Sequence, residues 1–292
     1  MSDKNSLTAC ITAEIFVRIK SLRLLEPRPI LMFGMMQFMK TFVKNRDDND
    51  IGVLIEGATM SDQLMFIAHG LNGNKEELHI RTMIEAFLEL NYRVVSYDVI
   101  HTFGESKGGR FEDATVTNYL NDLEDVIQWA STQEWYIEPF VLCGHSLGSI
   151  AVTVYAQRNP KRVKSVAPVS TVISGKLSLT TPQYVTDAKK WEENGFCITK
   201  KSNGSLVRLK WSHVEDRLKY DLLLKLDKLT MPVIMMVGSE DSSTPPGHQK
   251  LLFDKLGCLK EFHIIEGAIH TFDKPEEREQ LKKIIKTWAK KL

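Results

Sequence analysis

A chain of 292 residues has room for one large α/β domain or two small ones, and for a fully buried sheet. With 38 Lys plus Arg against 37 Asp plus Glu it carries a formal net charge of +1, which leaves no electrostatic footprint for nucleic acid. Its four cysteines, Cys10, Cys143, Cys197 and Cys258, are scattered without a CxxC pair; that argues against a disulfide framework or zinc site and fits a reducing cytosol.

In chain order, Ile11 to Leu25 is apolar-rich and predicts a helix, stopped by Pro27 and Pro29. A second apolar run, Ile30 to Met39, follows. Neither reaches the ~18 residues that span a bilayer. No small-residue cleavage site follows either, so a secretory signal is not expected. We read residues 1–38 as an extension that packs on the domain or stays partly disordered, with contact to a membrane interface or a second subunit as the alternative. Met39 would serve as a start for the fold proper.

From Thr41 onward strands alternate with helices. Phe42 to Arg46 and Ile51 to Glu56 predict two short strands around the polar turn Asp47-Asp48-Asn49-Asp50. Leu64 to Ala68 is a continuous apolar run, as expected of a strand buried on both faces. The next helix carries Ile80, Met83, Ile84, Phe87 and Leu88 at helical spacing. Tyr92 to Tyr97, Phe140 to Cys143, Val163 to Val169, Met231 to Val237 and Phe262 to Ile265 read as further strands. Helices are predicted over Thr115 to Thr132, Ile150 to Gln157, Pro246 to Leu256 and Glu276 to Leu292. Such units imply a mainly parallel sheet with helices on both faces. Between Ser170 and Leu229 the alternation breaks. There Phe196 to Lys200 and Leu206 to Lys210 flank an Asn203-Gly204 turn signal, which predicts a hairpin within a small inserted lid.

Four segments point to chemistry. In Gly144-His145-Ser146-Leu147-Gly148 a sharp strand-to-helix turn would expose Ser146, and the two glycines remove side chains that would clash in so tight a bend. A serine hydroxyl also needs a base to take its proton and donors for the developing oxyanion. His69-Gly70-Leu71-Asn72-Gly73-Asn74 follows a buried strand, so the Leu71 amide pairs with that of Leu147 as a candidate oxyanion hole. The acid should end a later strand: in Gly238-Ser239-Glu240-Asp241 we take Asp241, with Glu240 as the fallback. Among eight histidines, His270 alone stands just beyond the last strand and before the last helix, whereas His263 lies inside that strand. His69, His101 and His145 lack metal-ligand spacing, and neither a metal nor a cofactor is expected.

With those residues in place, the chain from about Thr41 to Leu292 resembles the α/β-hydrolase superfamily. It is similar in particular to the serine hydrolases that include feruloyl or cinnamoyl esterase-like and lysophospholipase-like members. The resemblance rests on His69-Gly70 with Leu71, the Gly144 to Gly148 elbow, Gly238 to Asp241 with Pro245-Pro246, and Gly267-Ala268-Ile269-His270. It implies an eight-stranded sheet, a metal-free triad of Ser146, Asp241 and His270, and an inserted lid. The expected activity is ester cleavage of a small-molecule substrate through an acyl-enzyme; thioesterase, amidase or lysophospholipase chemistry on the same triad is the alternative, and a non-catalytic binding module the more distant one. The chain departs from the common Asp-x-x-Gly-x-Gly-x-Ser loop. Asp98 to Ser106 is one residue longer and lacks one glycine, which is expected to alter a pocket wall.

Overall fold

The computed structural model describes residues 36–201 and 204–292. The helix expected at Ile11 to Leu25, and with it residues 1–35 of the expected N-terminal extension, lie outside the described residues. The ten strands among the described residues are β1 (Met36–Lys44), β2 (Asp50–Ala58), β3 (Leu64–Ala68), β4 (Arg93–Tyr97), β5 (Phe140–His145), β6 (Val163–Val169), β7 (Phe196–Lys200), β8 (Leu206–Lys210), β9 (Val233–Gly238) and β10 (Lys260–Ile265). Eight of them form one sheet in the order β1-β2-β4-β3-β5-β6-β9-β10, in which β2 alone runs against its neighbours.

The central strands are buried on both faces because α-helices cover both. Residues of β3 divide between two apolar layers: Leu64, Phe66 and Ala68 point to one, Met65 and Ile67 to the other. The first layer is closed by α2 (Val116–Ala130), α3 (Leu147–Arg158) and α7 (Pro246–Lys255). The second is closed by α1 (Leu78–Leu88) and α8 (Pro275–Ala289), through Met83, Phe87, Leu281 and Ile285. Thr115 starts α2 as expected, its side chain accepting from the Asn118 amide.

The sequence misplaced the first strand. It runs from Met36 to Lys44, pairing Met36 with Ala58 and Lys44 with Asp50, so residues 36–38, counted with the extension, belong to the sheet. The polar turn begins at Asn45, whose side-chain oxygen caps the amides of Asp47 and Asn49. The cause is an edge strand whose outward positions are not all polar. Val43 is buried and Met39 and Thr41 partly so, while Phe38 and Phe42 stand exposed among the lysines and mask the period of two.

Between β6 and β9 the alternation breaks as expected. This stretch holds α4 (Gly175–Ser178), α5 (Pro182–Asn194), the hairpin β7–β8 and α6 (Ser212–Arg217). It is fastened to the first turn of α2 and to the segment before it. Asp216 accepts from the amide of Thr117 at 2.9 Å and from its hydroxyl at 2.6 Å, and Lys210 reaches Asp113 at 2.5 Å. No helix among the described residues is long and apolar enough to cross a membrane.

Candidate active site

All the candidate residues follow the carboxyl ends of sheet strands, where loops of an open α/β sheet form a crevice. Ser146 lies between β5 and α3 at φ 54°, ψ −115°, a backbone conformation that L-residues rarely adopt. The bend survives because its neighbours lack side chains. A Cβ on Gly148 would come within 2.4 Å of the Ala68 carbonyl oxygen, and one on Gly144 within 2.8 Å of the Gly148 backbone. The Ser146 amide donates to Val169 and its carbonyl accepts from Ser149, so the elbow is tied to β6 and to its own helix.

The hydroxyl then meets its expected base. Ser146 Oγ and His270 Nε2 are 2.9 Å apart, and His270 Nδ1 stands 2.8 Å from Asp241 Oδ2. Nδ1–H donating to the carboxylate leaves Nε2 free to accept the serine proton. Between the two acidic candidates the structure chooses one: Asp241 is 2% exposed, whereas the Glu240 side chain faces solvent. Burial alone would push the Asp241 carboxyl up. Hydrogen bonds from His270 and Thr244, with the attraction of the imidazole, hold it at about 2. Its other oxygen, Oδ1, accepts from the amides of Ser243 and Thr244 at 3.0 and 2.8 Å.

The Leu147 amide follows Ser146 at the N-terminus of α3, and Gly70 lies so close that a Cβ there would be 3.1 Å from Ser146 Cβ. Neither the Leu71 nor the Leu147 amide has an acceptor among the described residues. Both are therefore available to a ligand oxygen. A cavity of about 870 Å³ opens beside His270, with Leu71, Asn74, Glu77, His79 and Asp273 on its wall.

Several contributors were not singled out in the sequence. Thr244 donates its hydroxyl to Asp241 at 2.8 Å, and the Asp–x–x–Thr spacing of a side-chain-capped turn was a readable signal for it. His145, buried in the elbow, donates from Nε2 to the His270 carbonyl at 2.8 Å; its Nδ1 then accepts from His79 at 3.3 Å. Burial drives the His145 imidazole well below the usual range, and burial with the nearby His270 takes that of His79 down to about 3, so both are neutral. Asp98 binds the amide and ammonium of buried Lys75 and the amide of Glu105, which folds the loop up to Ser106 against the oxyanion segment. His263 pairs with Glu261, and His101 contacts the Arg110 carbonyl, both away from the triad.

Residues 59–200 match the family model described as serine aminopeptidase, S33. A thermostable monoacylglycerol lipase from Bacillus sp. (strain H-257) is 20% identical over 227 residues, covering 72% of this chain and 85% of that one. Among solved structures, Est1E from Butyrivibrio proteoclasticus with ferulic acid bound superposes with a TM-score of 0.72 at 20% identity, covering 86% of this chain and 98% of that one. The mouse α/β hydrolase domain-containing protein 10 gives 0.70 at 18%, covering 87% and 99%. With one reversed strand in an eight-stranded sheet, a serine elbow after β5 and these likenesses, the chain has the α/β-hydrolase fold.

Proposed function

We propose that the chain is a serine hydrolase that cleaves carboxylic esters through an acyl-enzyme. One observation carries this reading: the hydrogen-bonded line from Ser146 Oγ through the His270 ring to a buried Asp241. His270 Nε2 takes the hydroxyl proton as Oγ bonds to the ester carbon, and Asp241 holds the ring in the required tautomer. The carbonyl oxygen gains the negative charge, which the Leu71 and Leu147 amides receive. Collapse expels the alcohol, protonated by His270. Water then attacks the acyl-enzyme, giving its proton to His270, and the second collapse returns that proton to Ser146 as the acid leaves.

The two sides of the site differ in character. The cavity beside His270, with Asn74, Glu77, Thr271 and Asp273 on its wall, suits a polar alcohol portion. Leu71, also on that wall, packs against the buried cluster of Phe111 and Trp191, the side that suits an apolar or aryl acyl portion. That the similar proteins are named as an esterase with ferulic acid and a monoacylglycerol lipase supports this division. Placement in the cytosol belongs to the same proposal and rests on the unpaired Cys143, Cys197 and Cys258.

The test is a panel of short-chain aryl esters, glycerol monoesters and an aminoacyl anilide, run on wild type and Ser146→Ala. The panel should favour esters over the anilide, and the substitution should cost several orders of magnitude in rate. Equal rates in the two proteins would sink the reading; a preference for the anilide would move it to the amide chemistry that the family model's description carries.

A further inference from the structure

The Gly70 carbonyl is gripped from three directions. It accepts from Tyr119 Oη at 2.9 Å, from His69 Nδ1 at 2.8 Å and from the Gly73 amide at 3.2 Å. The histidine's role follows from its other nitrogen: Nε2 accepts from the Val99 amide at 3.1 Å, so the proton sits on Nδ1 and is donated. Burial raises the Tyr119 phenol well above its usual range, so it stays a protonated donor. Tyr119 is fully buried, and Gly70 is the partner its hydroxyl has among the described residues.

A trans peptide unit is planar, with its C=O and N–H directed oppositely. The Gly70–Leu71 bond is not among the cis bonds of the described residues. Holding the Gly70 oxygen therefore sets the direction of the Leu71 N–H, the amide left without an acceptor beside Ser146. We propose that Tyr119 is a positioning residue of the oxyanion hole: its hydroxyl, together with the His69 imidazole, fixes the Gly70 carbonyl and so aims the Leu71 amide at the reacting oxygen. This rests on the ester-hydrolase reading above.

Two features separate this role from mere satisfaction of a buried phenol. A phenylalanine would fill the same space and leave the carbonyl with two donors, so the fold would survive while the peptide plane gained freedom. Tyr119 also stands two residues after Thr117, which binds Asp216 of the insertion. The first turn of α2 thus holds the lid segment with one residue and the oxyanion segment with another.

The experiment compares full-length wild type, Tyr119→Phe and Ser146→Ala. For each, kcat and KM are measured on an aryl ester, together with Tm and the affinity for two inhibitors. A trifluoromethyl ketone forms a tetrahedral adduct whose oxyanion needs the hole, and the matching secondary alcohol does not. For Tyr119→Phe we expect kcat to fall about 10-fold, below the ~10²-fold or more of losing an oxyanion donor outright. KM and binding of the alcohol should stay within about twofold, and the ketone should weaken by the same factor as kcat. Unchanged kcat and ketone affinity, with Ser146→Ala inactive, would overturn the positioning role alone. Equal loss of ketone and alcohol binding would overturn it too, since that marks general damage to the pocket. Activity in Ser146→Ala would overturn the reading beneath it. Should Tyr119→Phe not fold, His69→Leu, which has no side-chain donor, removes the other one and is read on the same scale.

Discussion

The imidazole of His145 holds the main chain of His270: Nε2 donates to the His270 carbonyl oxygen at 2.8 Å, across 125 residues of sequence. The residue before Ser146 thus holds the backbone that carries His270. Replacing it by leucine would leave the His270 oxygen and the His79 Nε2 proton unpaired in a buried site, at about 1–3 kcal/mol each. Freed of that anchor, the His270 ring should lose its alignment with Ser146, and His145→Leu should lower kcat by about 10- to 10²-fold. Steady-state kinetics beside thermal melting check this. A folded variant with wild-type kcat would show that the contact does not position the base.

Asp241→Asn keeps the shape of the acid and reverses its donor pattern. The amide would present N–H groups to His270 Nδ1, drawing the ring proton to Nε2, where it faces Ser146 and blocks proton uptake. A fall in kcat of about 10⁴-fold is expected. Stability should change as well. The folded carboxyl, held at about 2, lies below its usual value of 3.8, so its contribution is present above about pH 4 and lost as pH falls toward 2. Acid melts of wild type and variant should converge at the low end; parallel curves would count against the bond to His270.

The central sheet was legible because β3, β5 and β9 are apolar runs buried on both faces, and each ends where a glycine breaks it or lies next but one. Ser146 and His270 could be singled out for the same reason, since both follow strand ends. Asp241 could not be separated from Glu240 by pattern, because a one-residue shift in a turn costs a sequence nothing. What separates them is that Ser243 and Thr244 direct their amides at one carboxylate. The contributions of His145 and Tyr119 were not readable: each acts through contact with a residue far away in sequence, on a backbone carbonyl that carries no sequence signal. β1 was misjudged because its outward Phe38 and Phe42 hide the alternation.

Glu77 should make stability depend on pH near neutrality. Its carboxyl is pushed up to about 7 by burial and by the charge of Asp273, with His79 beside it at 3.6 Å and Arg278 on the same cavity wall. The folded state therefore holds this proton more tightly than the unfolded chain. The stability it confers is full below about pH 4.5 and is lost as pH rises through 7. Glu77→Gln removes the loss, so relative to wild type it should gain about 1–2 kcal/mol between pH 4.5 and 8. Melting curves across that range settle the point, and identical pH slopes for the two proteins would contradict it.

A side chain at position 146 should be more costly to the fold than none. At φ 54° its Cβ sits in a region that disfavours any side chain, at about 1–3 kcal/mol. Ser146→Ala removes the hydroxyl but keeps the Cβ, and so keeps the strain. Ser146→Gly removes both. Glycine's extra freedom in the unfolded chain returns some of that gain, about 0.5–1 kcal/mol. The glycine variant should therefore melt above the alanine variant by about 1 kcal/mol, a few degrees for a domain of this size. Both should be inactive, which separates strain from chemistry. Equal melting of the two would cut the strain to the ~0.5–1 kcal/mol that glycine's freedom returns, below the expected range; an alanine variant more stable than the glycine variant would place the residue in an ordinary backbone region. The expected order ties the geometry to its use, because the bend that lifts the hydroxyl out of the sheet is the same bend that a side chain resists.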